Sequence, residues 1–417
     1  MKRLYTLLLV LLPLALSAQT ARESLMADIQ ENIFRAGMNM DPYEYIPGPQ
    51  TPAPKGYKPF YISHYGRHGS RSNWSGTLYE EISAKYHRAL DAGLLTAEGK
   101  AAMEQIDEVI RLHDNMDGRL TYLGSQEHRQ IARRMYKHYK PVFHNGSKKI
   151  SARSSTSQRV IVSMAAFTGE LMEQEKGLDI HWDTGEELMK ILSTDSDRAT
   201  RDSVYKIQAR QMRENVPDTT AFLKRIFTDP AAARPLTGDP VALMQQTYSM
   251  AVGCAAFELD DRLFRLFSWD ELYAYQQSLA MSFYLRQCNS VEFGDERMKV
   301  LDPLMHDIIE KADAAIATGE YAADLRFGHD YQLLALSSRL GLKGVAERLD
   351  QETCKDWPGW RYTPFAGNVQ LIFYRNKKGD VLVKPLLNER ETAILGLEGF
   401  PYYKWEDVKA YLNAQFK

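Results

Sequence analysis

Cysteine is scarce: Cys254, Cys288 and Cys354 are the only three in 417 residues. That excludes a disulfide-dense scaffold and the paired-thiolate spacing of a zinc site. Charge of one sign is also missing. Lys and Arg total 52 against 54 Asp and Glu, a formal net charge of −2. No global field therefore argues for nucleic acid or an acidic membrane, and any cationic site has to be local. Beyond Leu7–Leu16 there is no long apolar run, and nothing approaches the roughly 20 apolar residues of a membrane-spanning helix. No His/Asp/Glu spacing demands a metal. "STDSDR" at 193–198 has the oxygens of a calcium loop but not its glycine or closing glutamate, and it reads as a solvated turn. Internal repeats and low-complexity tracts are absent too.

What is present begins at the N-terminus. Lys2 and Arg3 precede the apolar run, and Ser17-Ala18-Gln19 follows it. This pattern predicts a secretory signal peptide over 1–18 and an exported, soluble mature chain, periplasmic or secreted. With no cysteine near the cleavage region, no lipid anchor is expected. In an oxidising compartment one cysteine pair could bridge, Cys254–Cys288 first among them, with one thiol left over.

The remaining chain, of which 44% of residues are hydrophobic and 25% charged, has an ordinary globular composition. Residues 21–38 read as helical, and the proline-rich segment 42–59 as an extended lead-in. A buried strand is expected over 58–65, and helical periodicity follows over 76–92, 96–116 and 122–140. A strand at 150–153 precedes a helix over 157–175. The signal is almost wholly helical over 186–290. A helix over 294–318 then leads to a strand near 323–327, and strands 369–374 and 381–387 flank the turn "NKKGD" as a hairpin. The pattern predicts an α/β fold in two parts, 19–185 and 291–417, separated by a mainly helical cap insert over 186–290.

The densest chemistry is "YISHYGRHGSRSNW" at 61–74. Arg67, His68, Gly69 and Arg71 follow directly on a strand, and α/β sheets bind ligands at the carboxyl ends of their strands. A solvated basic turn would explain the charge alone. A site built to grip a dianion explains the charge, the histidine and the glycine together.

"RHGSR" at 67–71 resembles the signature of the histidine phosphatase superfamily, in the branch of histidine acid phosphatases and phytases. "DLRFGHDYQLLAL" supplies the distal His-Asp pair of that branch as His329-Asp330, between a strand and a helix. "LTYLGSQEHRQIARRMY" resembles its Leu-Thr…Gly helix start, and "RSSTSQRVIVSMAAFTGEL" its third-arginine segment, with Arg159 in register. The resemblance spans about 57–175 and 294–390. It implies a mixed sheet flanked by helices, with a phosphoglycerate-mutase-like core and substrate bound between core and cap.

The resemblance implies a role for each residue. Arg67, Arg71 and Arg159 would neutralise the phosphate oxygens with planar, permanently charged donors, and His329 would be a fourth donor. His68 would be the nucleophile, forming a phosphohistidine that water hydrolyses. One of its ring nitrogens needs an acceptor, expected to be a backbone carbonyl, so that the other is free to attack. Gly69 would let the backbone turn tightly. Asp330 would be the general acid, with a mildly acidic optimum, because it must carry a proton. The arginines would do a metal's electrostatic work, so neither metal nor cofactor is expected. Ser70, Asn73 and Trp74 are candidates for the substrate entrance, and Asn388 for the pocket frame. His64 is expected to pack. His128 and His138 are expected on a charged outer helix face.

The expected substrate is a small phosphomonoester, with an inositol polyphosphate as one candidate and a general acid phosphatase or sugar-phosphate phosphatase as the alternative. Multiple inositol polyphosphate phosphatases typically carry His-Ala-Glu at the distal motif, whereas this chain has His329-Asp330-Tyr331. That departure argues against simply transferring their specificity or proton donor. A phosphate-transferring mutase is disfavoured by the expected export and by the His-Asp acid. A non-catalytic phosphate binder would need neither His68 nor Asp330.

Overall fold

The computed structural model describes residues 21–73, 76–214 and 218–416. The leader expected over 1–18, and Trp74, lie outside the described residues. The strands are β1 (Lys58–Arg67), β2 (Lys149–Ser154), β3 (Asp179–Thr184), β4 (Tyr321–Gly328), β5 (Asn368–Arg375), β6 (Val381–Leu387), β7 (Arg390–Glu391) and β8 (Tyr403–Lys404). They form one mixed sheet in the order β3-β2-β4-β1-β5-β6-β7, with β8 paired to β6. β3, β2, β4 and β1 run parallel, and β5 and β6 are antiparallel. Fold class agrees with the sequence expectation, and the predicted hairpin is β5–β6.

Alternation along β1 explains why the sheet needs helices on both faces. Tyr61 and Tyr65 join one core with Leu304, Met305, Leu333 and Phe373. Ile62 joins the other with Ile131, Met135, Val160 and Phe167 from helices Tyr122–His144 and Gln158–Gln174. A third cluster is mainly helical. It joins residues of helices Gly76–Asp91 and Ala97–His113 to Phe222, Ile226, Leu243, Met244 and Leu272. Among the described residues no helix is long and apolar enough to cross a membrane.

Three details differ from expectation. The strand β3 was not foreseen, because "DIHWDT" at this edge turns mostly polar residues outward and buries chiefly Ile180. The helix expected over 294–318 is two, Gly294–Lys299 and Asp302–Thr318. Pro303 lacks the N–H needed to continue the first, and it starts the second. All three cysteines are free and buried, and the Cys254–Cys288 pairing is overturned. Cys254 packs in the helical cluster, whereas Cys288 packs with Cys354 in the core below the sheet.

A buried ion network braces the centre of the sheet. Asp307 accepts from both terminal nitrogens of Arg153 at 2.8 and 2.9 Å and from Arg326 Nε at 2.6 Å. Arg326 is fully buried and also donates to Ser63 Oγ. Removing one partner of such a group leaves an uncompensated buried charge. Asp307→Ala is therefore expected to cost about 3–5 kcal/mol in urea unfolding. A cost below about 1 kcal/mol, the range of an exposed ion pair, would contradict this assignment.

Candidate active site

β1 and β4 are neighbours in parallel register, with Arg67 opposite Gly328. Their carboxyl ends therefore deliver the two motifs to one place. The His68 amide donates to the Gly328 carbonyl at 3.0 Å, and the Arg67 amide to Gly367 at 2.8 Å. His329 then caps the helix that starts at Asp330.

The Leu-Thr…Gly segment has a steric reason. Thr121 caps helix Tyr122–His144, and both its amide and its hydroxyl donate to the Ser70 carbonyl, at 2.9 and 3.0 Å. The loop and the helix start cross so closely that a Cβ at Gly69 would lie 2.3 Å from the Gly124 carbonyl oxygen. A Cβ at Gly124 would meet the Ser70 carbonyl at 2.2 Å. Only glycine fits either position.

The His68 tautomer is fixed by a backbone carbonyl, as expected. His68 Nδ1 lies 2.9 Å from the Gly69 carbonyl, so it carries the hydrogen and leaves Nε2 with a free lone pair. Burial, and then Arg67, Arg159, His329 and Arg71, hold its pKa well below the ordinary value. The imidazole is therefore neutral.

The three arginines surround it by different routes. Arg67, at the end of β1, is fully buried, and its Nη1 donates to the carbonyls of Asn39 and Thr363. Its Nη2 lies 3.1 Å from Asp330 Oδ2, and its guanidinium sits 4.5 Å over the Phe365 ring. Burial, and then repulsion from Arg67 and Arg159, pushes Arg71 down to about 9. Arg159 projects from the first turn of its helix, with Nη2 3.5 Å from His329 Nδ1. One turn on, Ser163 Oγ donates to the Arg159 carbonyl and accepts from the Gly69 amide at 3.1 Å. His329 Nε2 meets Ser155 Oγ at 3.1 Å, and its ring stacks on Tyr331. Burial, and then the Arg159 charge, lowers its pKa to about 3.

Asp330 carries the negative charge that faces this cluster. Burial alone would raise its pKa. Arg67, the Asn39 amide on Oδ2 at 2.8 Å, His329 and the Tyr331 amide on Oδ1 at 2.8 Å outweigh burial and hold it at about 2.

Of the candidates for the entrance and frame, Ser70, Asn73 and Asn388 all have partners within the protein. Ser70 is fully buried, and its amide and hydroxyl both donate to Glu127 at 2.7 Å. Asn73 ties the loop to the helical layer through Ser249, and its carbonyl accepts from Gly118. Asn388, in a left-handed conformation, braces Asn368 and Arg361 through its side chain. His64 packs between Phe167 and Phe327, as expected. His128 does not lie on an outer face. It is buried beside the same two phenylalanines, which lowers its pKa to about 3, while His138 is exposed. Among the described residues no group of three or more His, Cys, Asp or Glu could hold a metal ion.

Sequence reasoning missed Asn39, Glu127, Ser155, Ser163 and Phe365. Glu127 and His128 were within reach, because Gly124, Glu127, His128 and Ile131 recur at helical spacing on one buried face. Asn39 left no comparable signal.

Three guanidiniums closing on one neutral imidazole suit a phosphoryl group, and with this sheet they define the class: an α/β phosphatase. The family follows from the sequence. Residues 66–388 match the model of the histidine phosphatase superfamily (branch 2), and the chain belongs to it, among the histidine acid phosphatases. No curated protein sequence matches the chain. Among solved structures, the phosphate complex of the multiple inositol polyphosphate phosphatase of Bifidobacterium longum superposes with a TM-score of 0.73 at 19% identity, over 92% of this chain and 98% of that one. The phytase from D. castellii gives 0.66 at 16% identity, over 93% and 86% of the two chains. The Klebsiella sp ASR1 phytase gives 0.55 at 14%, over 87% and 96%. At these identities the likeness is one of fold.

Proposed function

We propose that this phosphatase hydrolyses phosphomonoesters through a phosphohistidine on His68, with an inositol polyphosphate as its substrate class. The observation that carries the reading is the His68 tautomer: Nδ1 is held on the Gly69 carbonyl, so Nε2 is the atom presented to the arginines. The Nε2–P bond forms as the P–O ester bond breaks, and Asp330 gives its proton to the departing alkoxide. Arg67, Arg71 and Arg159 stabilise the equatorial oxygens as charge shifts among them, and His329 joins them only by turning its Nε2 from Ser155 Oγ to the phosphate. A water, losing its proton to Asp330, then attacks phosphorus and frees His68 and phosphate.

The inositol polyphosphate reading draws support from structural neighbours described as a multiple inositol polyphosphate phosphatase and as phytases, one of them complexed with inositol hexasulfate. Export is part of the same proposal and rests on residues 1–18; N-terminal sequencing of the mature protein outside the cytoplasm tests it.

Phosphate release is to be compared for phytate, glucose 1-phosphate and 4-nitrophenyl phosphate at pH 4.5–7, with chelator present. Preference for phytate supports the proposal. Equal turnover of all three would make the enzyme a general acid phosphatase, and preference for the sugar ester would make it a sugar-phosphate phosphatase.

A pH dependence follows from the site. In the free enzyme Asp330 is ionised and His68 neutral throughout this range, so neither limits the reaction by titrating there. The acid's proton must then enter with the ester, whose second ionisation lies near pH 6. The expected kcat/KM falls about tenfold per pH unit above roughly pH 6. A profile flat to pH 8 would contradict proton delivery by this route.

A further inference from the structure

The family model begins at residue 66, yet the segment before it reaches the reacting groups. Asn39 closes the 3-10 helix Ile33–Met40 and is buried. It touches both halves of the site. Its side-chain amide donates to Asp330 Oδ2 at 2.8 Å across 291 residues of sequence, and its carbonyl accepts from Arg67 Nη1.

The segment is pinned on both sides. Tyr248 donates to the Ala36 carbonyl at 2.7 Å, the Phe365 amide to the Asp41 carbonyl at 2.9 Å, and the Tyr43 amide to Glu127 at 2.8 Å. Just before Asn39 the backbone is strained: Met38, fully buried, has φ 54°. A non-glycine residue keeps such a conformation only where its surroundings over-determine it, and these positions cluster at functional sites.

We infer that Asn39 is a positioning residue for the reaction, holding the Asp330 carboxyl toward the leaving-group oxygen and determining when it carries its proton. This rests on the phosphatase reading above. Asp330 is otherwise held by Arg67 Nη2 and by the Tyr331 amide of its own helix. An arriving phosphate ester competes for Arg67, and Asn39 then still donates to the carboxyl and fixes its rotation. Because the amide donates to the ionised form, it also keeps the acid strong and ready to give up its proton. The other charged or titratable groups facing Asp330 are Arg71, Arg159, His329, Tyr65 and Tyr331.

The test sets an alkyl ester, glycerol 2-phosphate, against 4-nitrophenyl phosphate, whose leaving group needs little protonation. Asn39→Ala should slow turnover of the alkyl ester about 10- to 100-fold and of the aryl ester less than about threefold. Asn39→Asp keeps the shape and the backbone contact to Arg67, and so guards against a folding failure. Its second carboxylate disfavours loss of the proton that the bound ester brings to Asp330, so the alkaline limb of kcat should move up by about one pH unit. Equal losses on both esters, or an unmoved limb in Asn39→Asp, would overturn the inference alone. An inactive wild-type enzyme on both esters would overturn the phosphatase reading and this inference with it.

Discussion

His68→Ala should lower phosphate release by on the order of 10⁴-fold or more while leaving the fold intact and phosphate binding measurable. The loss is large because in the proposed mechanism the imidazole is the group that bonds to phosphorus, and none of its neighbours can replace it. Arg67, Arg71 and Arg159 carry no lone pair to attack with, and His329 has its Nε2 on Ser155 and its Nδ1 facing Arg159. Binding should survive, because the guanidiniums are anchored independently of the imidazole. Arg67 is held by the carbonyls of Asn39 and Thr363, and Arg71 by that of Ser72. Steady-state kinetics with phosphate as a competitive inhibitor read both quantities. A variant that kept more than about a hundredth of wild-type turnover would place the nucleophile elsewhere.

Asp330→Asn should separate substrates by leaving group. An asparagine is isosteric and can keep its one acceptor oxygen on Asn39 and Arg67, at the loss of the Tyr331 amide contact, but it has no acidic proton. Losing a positioned general acid costs about 10²- to 10⁴-fold. That full loss is expected for an alkyl ester such as an inositol phosphate, whose alkoxide cannot depart unprotonated. For 4-nitrophenyl phosphate the loss should be about tenfold or less. Neutralising the carboxylate also removes the counter-charge of Arg67, so phosphate should bind the variant at least as tightly as the wild type. An equal loss across leaving groups would show that Asp330 only orders the site.

How far the sequence led depends on whether a residue's partners are near it in the chain. The RHGSR motif could be placed because it follows a strand rich in aromatic and β-branched residues, and His329-Asp330 because it sits between another strand and a helix. Register then brings them together: Arg67 faces Gly328 across neighbouring parallel strands. The paired glycines show what a motif cannot say by itself. Gly69 and Gly124 are each needed because the other segment's backbone passes too close for a Cβ, which only the crossing of loop and helix reveals. Asn39 lay beyond reach for the same reason, since its role comes from a contact made across most of the fold. His128 went wrong differently: its charged sequence neighbours suggested an outer face, while the helical spacing of Glu127, His128 and Ile131 marked a buried one. Ser70 inside the motif was read for the substrate, but it serves Glu127 and thereby holds the loop.

The most direct test of the central claim is to look for the covalent enzyme. Wild-type protein mixed with 4-nitrophenyl phosphate, quenched within milliseconds in alkali and analysed by intact mass and peptide mapping, should show one added phosphoryl group. That group should map to His68, be lost on acid treatment, and be absent from His68→Ala. Rapid turnover with no phosphorylated enzyme at any quench time, or a phosphoryl group on another residue, would contradict the account.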